Sequence, residues 1–241
     1  MTSHQVAGAG AGLGRILHTG PMLRSTVVHP PDHQVGYLYA SRADLLRLGA
    51  LFRVAATSPH SAVYVPVPPD AGSRTSFGPV RPLPLLLART DTGLRPSDWP
   101  RLRQGMRHGM RHGTRHGTHR GAVPVRVTAP APRSADRPDD VRRLADRHPA
   151  RFVEHAATAV ITARAELLFW IGDWLTDVGD RVAEDRDVHR HGETFLGDMV
   201  GFFDPEGTND PMHAFCVVAV EPDFHRARRR TGPAEPAERP S

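Results

Sequence analysis

Carboxylates recur at one-turn spacing in the stretch before residue 190. Asp173, Asp177, Asp180, Glu184 and Asp187 follow one another at steps of four, three, four and three residues. On a helix this spacing places them on one face. Such a face suits plain solvation, docking of a cation-rich protein partner, or convergence on a divalent metal. The same carboxylates could instead pair with arginines of this chain, so an internal and an external partner both stay open.

A possible metal-binding group follows these carboxylates. His189 and His191 form a His-x-His pair beside Glu193, a spacing that occurs in metal hydrolases where the pair ends a strand. Here the pair follows a predicted helix, and the two imidazoles diverge if that helix continues. We therefore expect no metal and no cofactor, and these three residues are the candidates if a metal does bind.

Residues 105–121 repeat a four-residue unit, Gly-x-Arg-His. The Arg-His-Gly triplet resembles the phosphate-binding triplet of the histidine phosphatases, over three residues only. A glycine at every fourth position destabilises a helix by about 1 kcal/mol each relative to alanine. The repeat therefore predicts a flexible loop, whose arginines would bind nucleic acid at most non-specifically.

The segment GDMVGFF (197–203), followed by His213, resembles the region around the catalytic histidine of papain-like cell-wall peptidases. This resemblance implies a hydrolase in which His213 works with Asp198. Cys216, the single cysteine, lies three residues after His213 on the same predicted strand, so the two side chains point to opposite faces. They cannot form a thiolate–imidazolium pair.

The cationic residues narrow the list of enzymes. All 31 residues counted as lysine or arginine are arginine. The absence of lysine excludes P-loop phosphate binding, Schiff-base chemistry and the Ser-x-x-Lys hydrolases, because arginine stays protonated and planar. Asparagine and isoleucine are also scarce, which indicates a GC-rich, bacterial genome. The net charge of +5 hides a basic half up to residue 150 and an acidic stretch from 151 to 225.

Periodicity predicts the elements that position these residues. Ser41 is a good N-cap for an amphipathic helix over 43–55. Prolines push three of the predicted strands, at 62–68, 83–89 and 122–128, toward sheet edges or strand ends. We expect further helices at 138–148, 151–157 and 171–187, and strands at 35–40, 62–68, 83–89, 122–128, 158–162, 198–203 and 213–220.

Together these elements predict an α+β fold: a single domain with a mainly antiparallel sheet and three to four helices. The domain covers 35–225 and contains a low-complexity insert at 104–121. Residues 1–34 are expected to be a flexible leader, and residues 226–241 a disordered tail.

No complete catalytic constellation is present in the sequence, so the favoured function is non-enzymatic protein–protein contact. The acidic helix face at 173–187 is its candidate surface, and a basic protein its expected partner. The single cysteine, the lack of a secretory signal and the absence of a long apolar segment favour the cytoplasm and no membrane. Two alternatives remain: a hydrolase, metal-dependent or not, that uses the C-terminal hairpin, and weak non-specific nucleic-acid binding through the arginine-rich half.

Overall fold

The structure is a computed structural model. It describes residues 1–5, 12–20, 22–23, 25–32, 35–67, 73–75, 78–80, 82–112, 123–132, 138–182, 193–198, 203–204 and 214–220.

The described residues form four helices and fourteen strands. The helices are α1 (Arg42–Ala56), α2 (Trp99–His112), α3 (Pro138–Arg147) and α4 (Ala165–Val182). The strands are β1 (Thr2–Gln5), β2 (Arg15–His18), β3 (Val27–Asp32), β4 (Val35–Ala40), β5 (Ser61–Val65), β6 (Ser73–Thr75), β7 (Gly78–Val80), β8 (Leu85–Arg89), β9 (Val123–Pro124), β10 (Ala150–Glu154), β11 (Ala159–Ala163), β12 (Glu193–Asp198), β13 (Phe203–Asp204) and β14 (Ala214–Val220).

Most strands belong to two sheets. The main sheet has the order β13-β10-β11-β8-β5-β2-β1-β9, and the second sheet has the order β12-β14-β4-β3. Strands β6 and β7 pair only with each other. The α+β class is confirmed.

Both sheets are mixed, so the prediction of a mainly antiparallel sheet is wrong. Strands β2 and β5, β8 and β11, and β4 and β14 pair in parallel, as do β10 and β13. Parallel neighbours need a crossover of a dozen or more residues, usually through a helix. The segments that carry α1 and α2 provide such crossovers. The sequence predicted the helix at 43–55, but not that its segment connects two parallel strands.

Helix α1 begins as predicted. The Ser41 hydroxyl accepts a hydrogen bond from the backbone N–H of Asp44 (3.4 Å), and Leu45, Leu48 and Phe52 are buried on one side. The predicted helix at 138–148 corresponds to α3. Helix α4 begins six residues before the predicted start and its described part ends at Val182.

The main sheet is covered on both faces. One core joins α1 and α4 to Val63, Leu87 and other residues of the main sheet, and continues to residues of the second sheet. On the opposite face of the main sheet, Tyr64 and Leu86 pack with Trp99 of α2. Strand β5 is therefore buried along its whole length, as expected for a strand covered on both sides.

Prolines bound two central strands, and one predicted helix needs correction. Strands β5 and β8 lie in the middle of the main sheet, and the neighbouring prolines fall just outside their bounds, so of the two predicted alternatives the structure shows strand ends and the ladder donors stay intact. The segment predicted as a helix at 151–157 forms β10 and a tight turn, since its apolar residues Phe152 and Val153 pair across the ladder with β11. The strand predicted at 158–162 is β11.

Two segments expected to be flexible contain regular structure. Within 1–34, β1, β2 and β3 join the sheets, and Ile16 is fully buried. Within 104–121, α2 continues to His112, since Trp99, Leu102 and Met106 anchor it on the main sheet and outweigh the helix-weakening glycines. Residues 226–241 lie outside the described residues.

Candidate functional site

Helix α4 carries the predicted acidic face, and its position is set by a close approach to α1. A Cβ atom added at Gly49 would lie 2.6 Å from the carbonyl oxygen of Gly172, and one added at Gly172 would lie 2.7 Å from the carbonyl oxygen of Gly49. Real Cβ atoms do not come that close to backbone. The two glycines therefore let the helix backbones touch, and this contact fixes how α4 presents its other sides.

A buried arginine occupies the seam between the two helices. Arg53 of α1 is 6% exposed. Its guanidinium donates to the carbonyl oxygens of Pro130 (3.0 Å) and Gly172 (3.1 Å), to the Thr176 hydroxyl (2.8 Å) and to Asp173 Oδ1 (3.2 Å). A buried charge is tolerable when it is hydrogen-bonded and paired in this way. Asp173 thus has a partner within this chain. Its spacing in the sequence had allowed either an internal or an external partner.

The next two carboxylates of the face point outwards. Asp177 is paired with Arg181 (3.2 Å) and Asp180 with Arg42 (3.3 Å), and the two aspartate side chains are 68% and 63% exposed. Exposed ion pairs of this kind contribute little stability and exchange readily with other cations. Both carboxylates are therefore accessible to a partner.

Two tryptophans adjoin these carboxylates. The rings of Trp170 and Trp174 are stacked, with centroids 6.4 Å apart and planes 19° from parallel, and both are half-buried against the edge of the core. At about 100° per residue, helical spacing places Asp177 within about 60° of both tryptophans around α4, and Asp180 about 80° from Trp170 on the far side of Asp177. We call these four residues the acidic-aromatic face.

The remaining predicted site residues are only partly described. Glu184, Asp187, His189, His191 and His213 lie outside the described residues. Glu193 and Asp198 are in β12, where Asp198 is opposite Cys216 of β14 in the ladder. The predicted metal and hydrolase residues accordingly stay predictions. Among the residues that the structure describes, no three His, Cys, Asp or Glu side chains converge to hold a metal.

A second group of polar and aromatic side chains, which no pattern in the sequence predicts, lies on the α2 side of the main sheet. His4 of β1, His18 of β2 and Tyr64 of β5 form a row across three adjacent strands. Their ring centroids are 5.8 and 5.4 Å apart, and Tyr64 contacts Trp99 at 4.9 Å. We call His4, His18 and Tyr64 the ring row.

The electrostatics of the ring row reflect burial. Burial lowers the pKa of His4 and of His18, and for His18 the nearby charges of His4 and of the Met1 amino group lower it further. Burial raises the pKa of Tyr64, which the guanidinium groups of Arg103 and Arg107 partly oppose. Both histidines are therefore neutral at pH 7.

Arg103 is held against the turn that joins β10 and β11. Its Nη1 donates to the carbonyl oxygen of Ala156 (2.9 Å) and to the Thr158 hydroxyl (3.2 Å), which also accepts from the indole N–H of Trp99 (2.9 Å). Ala156 and Ala157 have φ values of 51° and 53°. A left-handed backbone costs a non-glycine residue roughly 1–2 kcal/mol. This turn is strained, and the arginine is fixed beside it.

The apolar pair Ile16 and Leu17, followed by His18, indicates a buried strand within the stretch 1–34, where we expect a flexible leader. This local pattern does not show that His18 lies beside His4 and Tyr64.

Compared with known protein families, with curated proteins and with solved structures, the chain matches none. Among the described residues, no helix has both the length and the apolar character needed to cross a bilayer.

Proposed function

We propose that the protein acts by protein–protein contact, and that the acidic-aromatic face of α4 receives an arginine-bearing segment of a basic protein. The observation that carries this proposal is the pair of exposed carboxylates, Asp177 and Asp180, beside a stacked and half-exposed tryptophan pair. Tryptophan is among the residues that most often dominate binding energy at protein interfaces.

The chemistry of the face favours arginine over lysine in the partner. A guanidinium can bond a carboxylate in a bidentate manner and stack on an indole at the same time, which an ammonium cannot do. Asp177 and Asp180 already contact guanidinium groups of this chain, Arg181 and Arg42, across exposed and easily exchanged bridges. A partner arginine would replace contacts of the same kind.

Asp173 belongs to the predicted acidic face by its spacing, but it bonds an arginine inside the protein. Asp173 bonds the buried Arg53, so removing its charge would disturb the helix seam as well as any binding. A test of docking must leave Asp173 intact. The informative variant is therefore the double substitution Asp177→Asn and Asp180→Asn, which keeps side-chain size while removing two charges.

The experiment measures binding to an array of arginine-rich peptides and to the same peptides with every arginine replaced by lysine. We expect the double variant to bind about fivefold more weakly than the unmodified protein, since two exposed charge pairs are worth about 1 kcal/mol in total. The lysine peptides should also bind more weakly. The matched control is Asp146→Asn with Glu154→Gln, which removes two exposed carboxylates elsewhere and should leave binding unchanged.

Two results would contradict the proposal. One is equal binding of the peptides by the Asp177 and Asp180 variant and by the Asp146 and Glu154 control. The other is the absence of any peptide that the unmodified protein binds better in its arginine form than in its lysine form.

A further inference from the structure

The ring row contains a buried polar atom that its surroundings leave unsatisfied. His4 is 5% exposed, and its Nε2 atom is buried without a hydrogen-bond partner. An unpaired buried nitrogen of this kind destabilises the folded protein, because the desolvation of the atom is not offset by a hydrogen bond. Buried polar groups are nearly always paired, so an orphan next to a second histidine and a tyrosine calls for an explanation.

The charges around the ring row are of one sign. Arg103 and Arg107 lie one turn apart on α2, near enough to the Tyr64 hydroxyl to influence its ionisation. The amino group of Met1 acts on His18 from another side. Among the described residues, the charged groups that act on His4, His18 and Tyr64 are all cationic.

We propose that the ring row, with Arg103 and Arg107, binds a small molecule that carries an oxyanion such as a phosphate or carboxylate group. The imidazole N–H groups, the Tyr64 hydroxyl and the two guanidinium groups are all hydrogen-bond donors, and an oxyanion accepts several such bonds at once. This site lies on the opposite face of the main sheet from α4 and is independent of the proposed protein contact.

The arrangement favours an anion over a metal ion. Neutral imidazoles are good ligands for zinc, but zinc sites need three or four ligands, and only His4 and His18 of the row are of the usual kind. Two guanidinium groups nearby would also repel a cation. For an oxyanion the same two guanidinium groups are favourable.

Arg103 is prepared for this role before any ligand arrives. Both of its hydrogen bonds to the strained turn use Nη1, and a guanidinium has five N–H donors in all. Fixing the side chain in advance removes part of the entropy cost of binding. The strain at Ala156 and Ala157 thus supports a positioned donor.

Binding of an oxyanion should be coupled to the protonation of the row. The charged groups that act on it are Arg103, Arg107 and the Met1 amino group, all of them cationic. The pKa of His4 and of His18 is lowered in the empty site, and a bound anion favours the imidazolium form. Ligand binding therefore raises both pKa values, and affinity increases as the pH falls through the pKa values of the liganded form.

The test is a titration of the full chain with inorganic phosphate and, separately, with acetate at matched ionic strength, followed by NMR of the histidine Cε1–H signals. The signals are assigned with His4→Gln and His18→Gln. We expect saturable shifts of the His4 and His18 signals with at least one anion, and an upward shift of both pKa values. The anion that saturates at the lower concentration distinguishes a phosphate-type from a carboxylate-type ligand.

Arg107→Gln removes one exposed cation and should weaken binding at least fivefold while the protein stays folded. Arg142→Gln removes the same charge from an exposed position on α3 and should leave binding unchanged. Three results would overturn the proposal: no saturable shift with either anion, equal weakening by both arginine variants, or tight and saturable shifts of the two signals with Zn²⁺ alone.

Discussion

The contact between Gly49 and Gly172 makes a sharp prediction about stability. In a Gly49→Ala variant the new methyl group would collide with the hydroxyl of Thr176 and would lie 2.6 Å from the carbonyl oxygen of Gly172. Because one of the clashing atoms is backbone, the two helices must move apart. Overpacking of this kind costs about 3 kcal/mol at the upper end, and the higher helix propensity of alanine returns about 1 kcal/mol. The expected net loss is about 2 kcal/mol.

The measurement is the urea concentration at half-unfolding. With a typical dependence on denaturant, a loss of about 2 kcal/mol lowers the midpoint by roughly 1 M. Gly105→Ala is the matched control, since nothing lies within 4 Å of an added Cβ at that helical position. It should raise stability by about 1 kcal/mol through helix propensity alone. A Gly49→Ala variant with an unchanged or higher midpoint would refute the close helix approach.

Three further predictions concern single side chains. Replacing Ala157 by glycine relieves a positive φ and should stabilise the protein by about 1 kcal/mol, seen as a melting temperature higher by roughly 2–4 °C. Arg53→Met removes the buried guanidinium that bonds Gly172, Asp173 and Thr176 in the helix seam and should destabilise by about 3 kcal/mol in urea unfolding. Because the pKa of His4 is lowered in the folded protein, the unfolded state binds more protons below pH 6.5. The unfolding free energy should therefore fall as the pH drops below 6.5 and level off below the pKa of the folded state. The variant His4→Leu should make this dependence on pH less steep.

Each of these has its own control and contrary outcome. Arg42→Gln breaks only an exposed bridge and should cost less than about 1 kcal/mol, so equal losses at positions 42 and 53 would contradict the burial argument. A melting temperature that is lower in the Ala157→Gly variant would show that the turn is not strained. For the pH series, His148→Ala at an exposed position is the control. If the unfolding free energy of His4→Leu depends on pH as steeply as that of the control, His4 is not the source of the dependence.

Local signals in the sequence were enough to place α1, α3, β4 and β11. Ser41 acts as an N-cap whatever lies elsewhere in the chain, and Pro138 suits the first turn of α3. The strand at 150–154 was missed because a short apolar run does not distinguish helix from strand until its pairing partner is known. The sheets are mixed because strands far apart in the sequence pair in parallel, and local patterns do not show that pairing.

The acidic face was partly predictable and the ring row was not. Spacing alone placed Asp173, Asp177 and Asp180 on one side of a helix, but the bond from Arg53 to Asp173 joins residues far apart in the chain and could not be read from either segment. The ring row depends on three strands meeting in register, His18 of β2 lying opposite Tyr64 of β5. No pattern along the chain links those positions.

The way α2 is anchored bears on how its repeated tract can evolve. The buried residues Trp99, Leu102 and Met106 all lie at or before the first Gly-x-Arg-His unit, and they hold the helix on the main sheet. A DNA duplication or deletion that adds or removes one unit after that point keeps these anchors in place. Four residues exceed a helical turn of 3.6, so successive arginines would rotate by about 40° around the axis where the helix continues. The number of units can therefore change between generations while the core and two arginines of the helix, Arg103 and Arg107, stay where they are.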